Sequence, residues 1–472
     1  MGVTTSPKHP LHRRTVTLAI SASLLYWTAT SSTWAAYTEL FLQRACADHG
    51  LSGDDCAEGH PLYDAVQHEA STTLTWFLIA TGVPAWLTCS ATGVLGDSFG
   101  RKPALLLPAL GGLIYSVATL LLPASAQWSA LLPLAVLSFA CGGYYSFQGV
   151  TFATIADVTE AESAAVRTRL FGLAEGSCWV GYAIGPTLGG ICVQCFGVQR
   201  SFALSSLLYA ATVLLLLTCY EETLPSRQRF AWSRANPIGG VWLLTTNPTA
   251  LGMSTVVFAT LVATASGITL IPLFTEAALD LSPLHIGWVQ SVFFASNAFG
   301  LLVLLPRALR LTSPKTIVAL AAAWNALFWA AWALAVTEWQ VFLVAALAFP
   351  SAMCFPPVRA TIAEAFGPAQ HGASLAALGT VQQMTQVAAP TIFSQVWAAM
   401  LGGKPVGAPY LVVGACGAVA ALAALLTPVA AARGGGDGAS GEGGGGGVAG
   451  TDREAALLAA EEAVAPAQQD ER

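Results

Sequence analysis

Charge is scarce in this sequence. Asp, Glu, Lys and Arg make up 10% of its 472 residues, where a soluble globular chain carries about a quarter. Most of the surface therefore does not face water, which excludes a soluble enzyme of two or three domains. Metal-ligand spacing is also missing. The 10 cysteines and 7 histidines are scattered, with no pairs at the intervals that hold zinc. No glycine loop of the kind that cradles nucleotide phosphates is present. The formal net charge of −6 is small and comes partly from the C-terminal end, so no nucleic-acid partner is implied. No cofactor and no metal are expected, and an enzyme is not expected either.

What is present is apolar length. Mean hydropathy is +0.62, and 45 glycines and 14 tryptophans are spread along the chain. Small residues let membrane helices approach closely, and tryptophan favours the interfacial belts. Apolar runs of about 20 residues, the length that crosses a bilayer, recur between short polar turns. The expectation is an all-α polytopic membrane protein with 12 transmembrane helices. They fall near residues 15–42, 71–92, 104–124, 128–156, 169–195, 200–220, 249–275, 284–306, 315–336, 339–358, 371–400 and 407–430. The basic start at Lys8, Arg13 and Arg14 could open a signal peptide. Tyr26, Trp27 and Trp34 suit that poorly, and a retained first helix is preferred.

The layout divides into a cytosolic N-terminus (1–14), a six-helix bundle (15–220), a central cytosolic loop (221–248), a second six-helix bundle (249–430) and a disordered cytosolic tail (431–472). The tail begins Gly-rich and ends Ala/Glu-rich, a composition that buries too little to order itself. Six plus six helices around a longer linker match one large transporter layout. With the N-terminus inside, only Arg44, Arg200 and Lys404 of the 20 basic residues fall outside. That is the bias that sets topology. Cys46 and Cys56 lie in the polar loop 43–70, and either a disulfide or two thiols fits them.

Four groups of residues could carry chemistry. The hydrophilic break Gly93-Val94-Leu95-Gly96-Asp97-Ser98-Phe99-Gly100-Arg101-Lys102 reads as a tight turn between helices 2 and 3. Asp97 there can accept bonds from helix N-termini or pair with a cation. Asp157, at the end of helix 4, could pair with Arg167 or Arg169 at the start of helix 5. Glu175 lies inside helix 5, where a carboxylate is costly unless paired, hydrated or protonated. Such a group can bind and release protons. The same helix holds Gly181, Gly185, Pro186, Gly189 and Gly190, a spacing that permits close contact and a kink. Arg359, at or just inside the end of helix 10, could be a snorkelling anchor or could meet an anionic solute. A cavity for a polar or aromatic solute is expected from Tyr37, Glu39, Tyr144, Tyr145, Gln148, Trp179, Asn297, Gln382, Gln383 and Gln386, with Glu39 near the outer mouth.

Gly93-x-Leu95-x-Asp97-x-x-Gly100-Arg101-Lys102 resembles the signature between helices 2 and 3 of the major facilitator superfamily. The resemblance covers about residues 15–430. Asp157-Val158-Thr159, Arg167–Glu175 and Pro357–Gly372 resemble the branch with the proton-coupled folate transporter and its hippocampus-abundant-transcript and tetracycline-exporter relatives. It implies two bundles that rock around a central cavity, Glu175 as the proton-coupling glutamate and Arg359 as the helix 10 arginine. The Gly-Pro segment of helix 5 resembles that of proton-driven exporters. The implied function is a secondary active transporter of a small organic solute, coupled to protons. A drug–proton antiporter, or a non-transporting receptor on the same fold, is the alternative. Its partners are the lipid bilayer, the solute and protons, and it is expected to work as a monomer. The plasma membrane is the first expectation for its location, an endosomal or vacuolar membrane the second.

Overall fold

The structure is a computed structural model. It describes residues 9–51, 62–122, 128–160, 162–224, 226–279, 281, 283–400 and 407–428. The expected tail, the first eight residues and Cys56 lie outside the described residues. Cys46 is disulfide-bonded.

The described residues form helices and no strand. In the first half these are α1 (His9–Ser32), α2 (Trp34–Asp48), α3 (Tyr63–Phe99), α4 (Arg101–Leu121), α5 (Trp128–Phe139), α6 (Gly143–Val158), α7 (Ala164–Phe196) and α8 (Val198–Thr218). The linker holds α9 (Trp232–Ala235) and α10 (Pro237–Thr245). The second half holds α11 (Pro248–Leu279), α12 (Pro283–Phe299), α13 (Leu305–Leu311), α14 (Pro314–Trp332), α15 (Glu338–Ala346), α16 (Phe355–Phe366), α17 (His371–Met400) and α18 (Ala408–Leu426).

Several expected helices are broken, each for a local reason. At the α1/α2 joint, Ser31, Ser32 and Thr33 hydroxyls bond back to the carbonyls of Trp27, Ala29 and Thr30, which bends a helix. Gly142 and Gly143 take positive φ (110° and 65°) and divide helix 4 into α5 and α6. Helix 8 passes through a π-turn at Gly300–Leu304 just before Pro306, whose missing N–H removes one rung of the ladder. Helix 10 is interrupted by a 3₁₀ turn at Ser351–Cys354, ahead of Pro356 and Pro357.

Two boundaries differ from expectation and matter for the site. Gly93–Phe99 is not a turn but the last part of α3. The whole reversal is made by Gly100, at φ 124°, which ends α3 and starts α4. Helix 10 continues to Phe366, so Arg359 sits inside α16 rather than at a membrane surface.

Seven stretches are long and apolar enough to cross a membrane, among the described residues. They include most of α3, α4, α8, α11 and α18. Helices α1, α7 and α17 have the length but not the hydropathy, because they carry polar side chains turned to the interior. The outward faces of α8 and α14 show the reverse: Leu207, Leu214 and Leu217, and Leu320 and Leu327, are exposed at helical spacing. That is the surface lipid would cover.

The largest apolar core draws on residues 244–424, with Trp179 and its neighbours on α7 from the first half. Two smaller cores are built within residues 18–220. A fourth joins Phe152, Phe171 and Ala174 to Ala360, Ala363 and Leu375. Helix α7 lies against α1 through its glycines. A Cβ on Gly181 would meet Trp27 Cβ at 2.8 Å and the Thr28 nitrogen at 2.9 Å. Gly185 faces Ser31 and the Thr28 carbonyl, and Gly189 the Ser32 backbone. Gly190 has nothing within 4 Å, so it is not part of that contact. Gly181→Leu should therefore cost about 1–3 kcal/mol by overpacking, read as a lower unfolding temperature of the detergent-purified protein. Gly190→Leu should leave that temperature unchanged.

Candidate functional site

Two polar layers lie one above the other in the apolar interior. The first is at the end where α3 meets α4. Arg101 is fully buried. Its Nη1 donates to Asp97 Oδ1 at 2.5 Å, and its Nε and Nη2 donate to Asp157 Oδ2 and Oδ1 at 2.7 and 3.1 Å. Burying one cation with two carboxylates is tolerable only because each has further partners. Asp97 supplies the clearest example. Its Oδ1 and Oδ2 accept the backbone N–H groups of Gly372 and Ala373, at 3.0 and 2.7 Å. Those are orphan donors of the α17 N-terminus, where the helix dipole also favours a carboxylate. Asp157 Oδ1 lies 3.1 Å from His371 Nδ1 at the same terminus.

The close approach this requires is built from small residues. A Cβ on Gly93 would sit 2.6 Å from the Gly372 carbonyl. On the other flank Glu222 accepts the N–H groups of Arg101 and Lys102, at 2.8 and 3.2 Å. Lys102 Nζ in turn donates to the Leu217 and Tyr220 carbonyls at 2.9 and 3.0 Å. The N-terminus of α4 and the C-terminus of α8 thereby each meet the favourable charge.

Arg167 makes a separate link. Its Nη1 donates to Glu364 Oε1 at 3.0 Å, and its Nη2 to the carbonyls of Thr159 and Glu160. The expected pairing of Asp157 with Arg167 or Arg169 is therefore corrected. Asp157 belongs to Arg101 and His371, and Arg167 reaches across to α16. Arg169 is half-buried, about one and a half turns before Glu175 on the same helix.

The second layer sits deeper. Glu175 on α7 and Arg359 on α16 are buried and form an ion pair, Arg359 Nη1 donating to Glu175 Oε2. Gln148 Nε2 donates to the same oxygen at 3.0 Å. The Arg359 guanidinium lies 4.3 Å from the Phe152 ring centroid and 5.7 Å from that of Phe355, both within cation–π range. Its Nη2 is 3.5 Å from Gln382 Oε1. The snorkelling alternative for Arg359 does not hold, because the head group points into the protein.

Above this pair is a cavity of about 640 Å³. Its lining begins at Glu175 and Gln148 and continues to Tyr37, Phe77, Pro272 and Thr391. Among the described residues, none of it comes from 93–102, 157–169 or 359–372. The cavity thus extends away from the Arg101 layer, which closes the opposite end. Of the expected cavity residues, Tyr37, Tyr144, Tyr145, Gln148, Trp179, Gln382, Gln383 and Gln386 line it. Asn297 does not; it is buried and its amide bonds to the Phe293 carbonyl one turn back. Arg359 is absent from the lining as well, standing behind Glu175.

With this geometry in view, the comparisons are decisive for fold. No family model matches the chain. The crystal structure of the human organic anion transporter MFSD10 (TETRAN) superposes with a TM-score of 0.72 at 16% identity, covering 88% of this chain and 100% of that one. The fold is that of the major facilitator transporters. The proton:xylose symporter XylE gives a TM-score of 0.68 at 15% identity over 88% of this chain and 96% of its own. Among curated sequences, the class C tetracycline resistance protein of Escherichia coli is 25% identical over 66% of this chain and 77% of its own length. The proton-coupled folate transporter of Rattus norvegicus is 24% identical over 79% and 84%.

Sequence reasoning missed several residues that build this site. Cys178 and Tyr182 line the cavity beside Glu175 and Trp179. Spacing i, i+3, i+4, i+7 along α7 would have found them. Glu222, Glu364 and the role of His371 carry no local signal, since their partners are far away in sequence. The Arg101 and Arg167 links also differ in exposure. Arg101 and Asp157 are wholly buried, whereas the Glu364 side chain is 46% exposed. Arg101→Met should cost about 3–5 kcal/mol, because it strands two carboxylates. Arg167→Met should cost less, about 1–3 kcal/mol, because the carboxylate it leaves is 46% exposed and can be hydrated while the Thr159 and Glu160 carbonyls lose a donor. Unfolding curves of the two variants beside the parent protein would check this contrast.

Proposed function

We propose that this chain is a secondary active transporter that moves a small organic solute by alternating access and couples it to protons at Glu175. The proposal takes twelve spans in two bundles of six, residues 15–220 and 249–430, with both termini and the Arg101 layer in the cytosol. The observation that carries it is the Glu175–Arg359 pair. It joins α7 of one half to α16 of the other, directly beneath the cavity.

The chemistry is simple. While Glu175 is ionised it neutralises Arg359 and holds α7 against α16. A proton on Glu175 removes the carboxylate and leaves a buried guanidinium without its counter-charge. Breaking a buried pair costs about 3–5 kcal/mol. Inverting a two-state equilibrium from 1:99 to 99:1 takes about 5.5 kcal/mol, so one proton supplies most of what the switch needs. The Asp97–α17 and Arg167–Glu364 links are the contacts that must part for the cytosolic end to open. Both join first-half to second-half helices.

Export in exchange for protons is the second reading for direction. It is favoured by the seam of Gly181, Gly185 and Gly189 against α1, which resembles the helix 5 signature of proton-driven exporters. The plasma membrane is the location proposed first.

The test is uptake of a panel of small organic solutes into proteoliposomes under an imposed pH gradient. The parent protein should accumulate at least one solute in a gradient-dependent way. Glu175→Gln should lose more than about nine-tenths of that uptake while still unfolding cooperatively above the assay temperature, at a lower midpoint than the parent because Arg359 loses its counter-charge. Uptake indifferent to the gradient, or full gradient-driven uptake by Glu175→Gln, would refute proton coupling at this site.

A further inference from the structure

The cavity has a charge sign. Among the described residues that line it, Glu175 is the one acidic or basic side chain. Arg359, which neutralises it, is held behind it between Phe152 and Phe355. A solute entering from the far end therefore meets the carboxylate first and the guanidinium not at all.

The wall around that carboxylate is aromatic. Trp27 and Tyr182 have ring centroids 4.9 Å apart, Trp34 and Tyr182 5.1 Å, and Tyr182 stacks on Phe294 of the second half at 5.5 Å and 16°. Tyr145 lies 4.9 Å from Tyr144. Ring faces attract cations, and a set of them around one carboxylate is the arrangement that recognises organic ammonium groups. The amides agree with this. Gln148 Oε1 and Gln383 Oε1 are buried acceptors with no partner, on residues that line the cavity, against a single unpartnered donor there, Trp27 Nε1.

We infer that the solute this cavity takes is an organic cation, a lipophilic amine or quaternary ammonium of aromatic character, bound by Glu175 within the Trp27–Tyr145–Tyr182 wall. The inference rests on the transporter reading above and names its substrate class. A proton and such a cation leave the same net charge on the Glu175–Arg359 pair, so each replaces the other and exchange is the coupling that results. The ionisable groups facing Glu175 are Arg359 on α16, Cys354 in the preceding turn, Tyr145 on α6, and Cys178 and Tyr182 on α7. Arg359 is the one basic group among them.

Two ions of nearly equal size and shape test the sign. Tetraphenylphosphonium is the cation and tetraphenylborate the anion, each measured by equilibrium binding to the purified full chain in detergent. The cation should bind at least about tenfold more tightly, and Glu175→Gln should weaken it by about tenfold or more. Tyr182→Leu should weaken it several-fold, while Tyr182→Phe, which keeps the ring face and loses the hydroxyl, should bind as the parent does. Unfolding temperatures establish that each variant is folded. Tighter binding of tetraphenylborate, no measurable cation binding, or cation binding indifferent to Glu175→Gln overturns the inference. The two readings fail separately. Gradient-driven uptake of anions would leave proton coupling standing and remove the cation, whereas cation binding without gradient-driven transport would do the reverse.

Discussion

A charge in an apolar interior must have its counter-charge within reach, and most of what distinguishes this protein follows from that. Arg101 and Arg359 are both buried. Each is tied to a carboxylate, and each layer spans helices far apart in sequence. Asp97 on α3 holds the start of α17, Asp157 on α6 meets His371, and Glu175 on α7 holds Arg359 on α16. Apolar packing between the same helices is non-directional and would tolerate sliding. The ionic contacts do not, because a displaced partner leaves a stranded charge costing several kcal/mol. They make the closed end a discrete state rather than a continuum.

The same constraint explains which parts of the molecule could be read from the chain alone. Apolar length made the helical membrane fold legible, because it is a sum over many residues. Gly93–Lys102 was readable as a special segment from its composition, although most of it is helix and only Gly100 turns. Glu175 stood out because a carboxylate among small and apolar residues is costly. Arg359 stood out as well, but as a separate group at or just inside the end of helix 10; its pairing with Glu175 carried no local signal, since it lies in the other half of the chain and its helix in fact runs on to Phe366. Asp157 was matched to the wrong arginine for the same reason: proximity in sequence favoured Arg167, and folding favoured Arg101. Asn297 was an appealing cavity residue by type, but it faces away and bonds within its own helix.

The spans that are least convincing as apolar rods are informative. Helices α1, α7 and α17 have the length to cross but are diluted by Ser, Thr, Gly, Gln and charged residues, and these are the helices that build the cavity and its floor. Interior polarity of this kind is what hides a span from hydropathy. Close packing of α7 on α1 through Gly181, Gly185 and Gly189 brings Trp27 and Tyr182 within 4.9 Å, so the glycine seam also shapes the aromatic wall above Glu175.

The central claim is that the Glu175–Arg359 pair keeps the Arg101 end shut. It is tested most directly by the distance between spin labels at Phe99 and Leu311, exposed positions at that end on either half, in a background without the other free cysteines. With Glu175 intact at neutral pH a single short distance is expected. Glu175→Gln, and Arg359→Met in parallel, should move a large share of the population to a longer one. An unchanged distance distribution in both variants would contradict the claim.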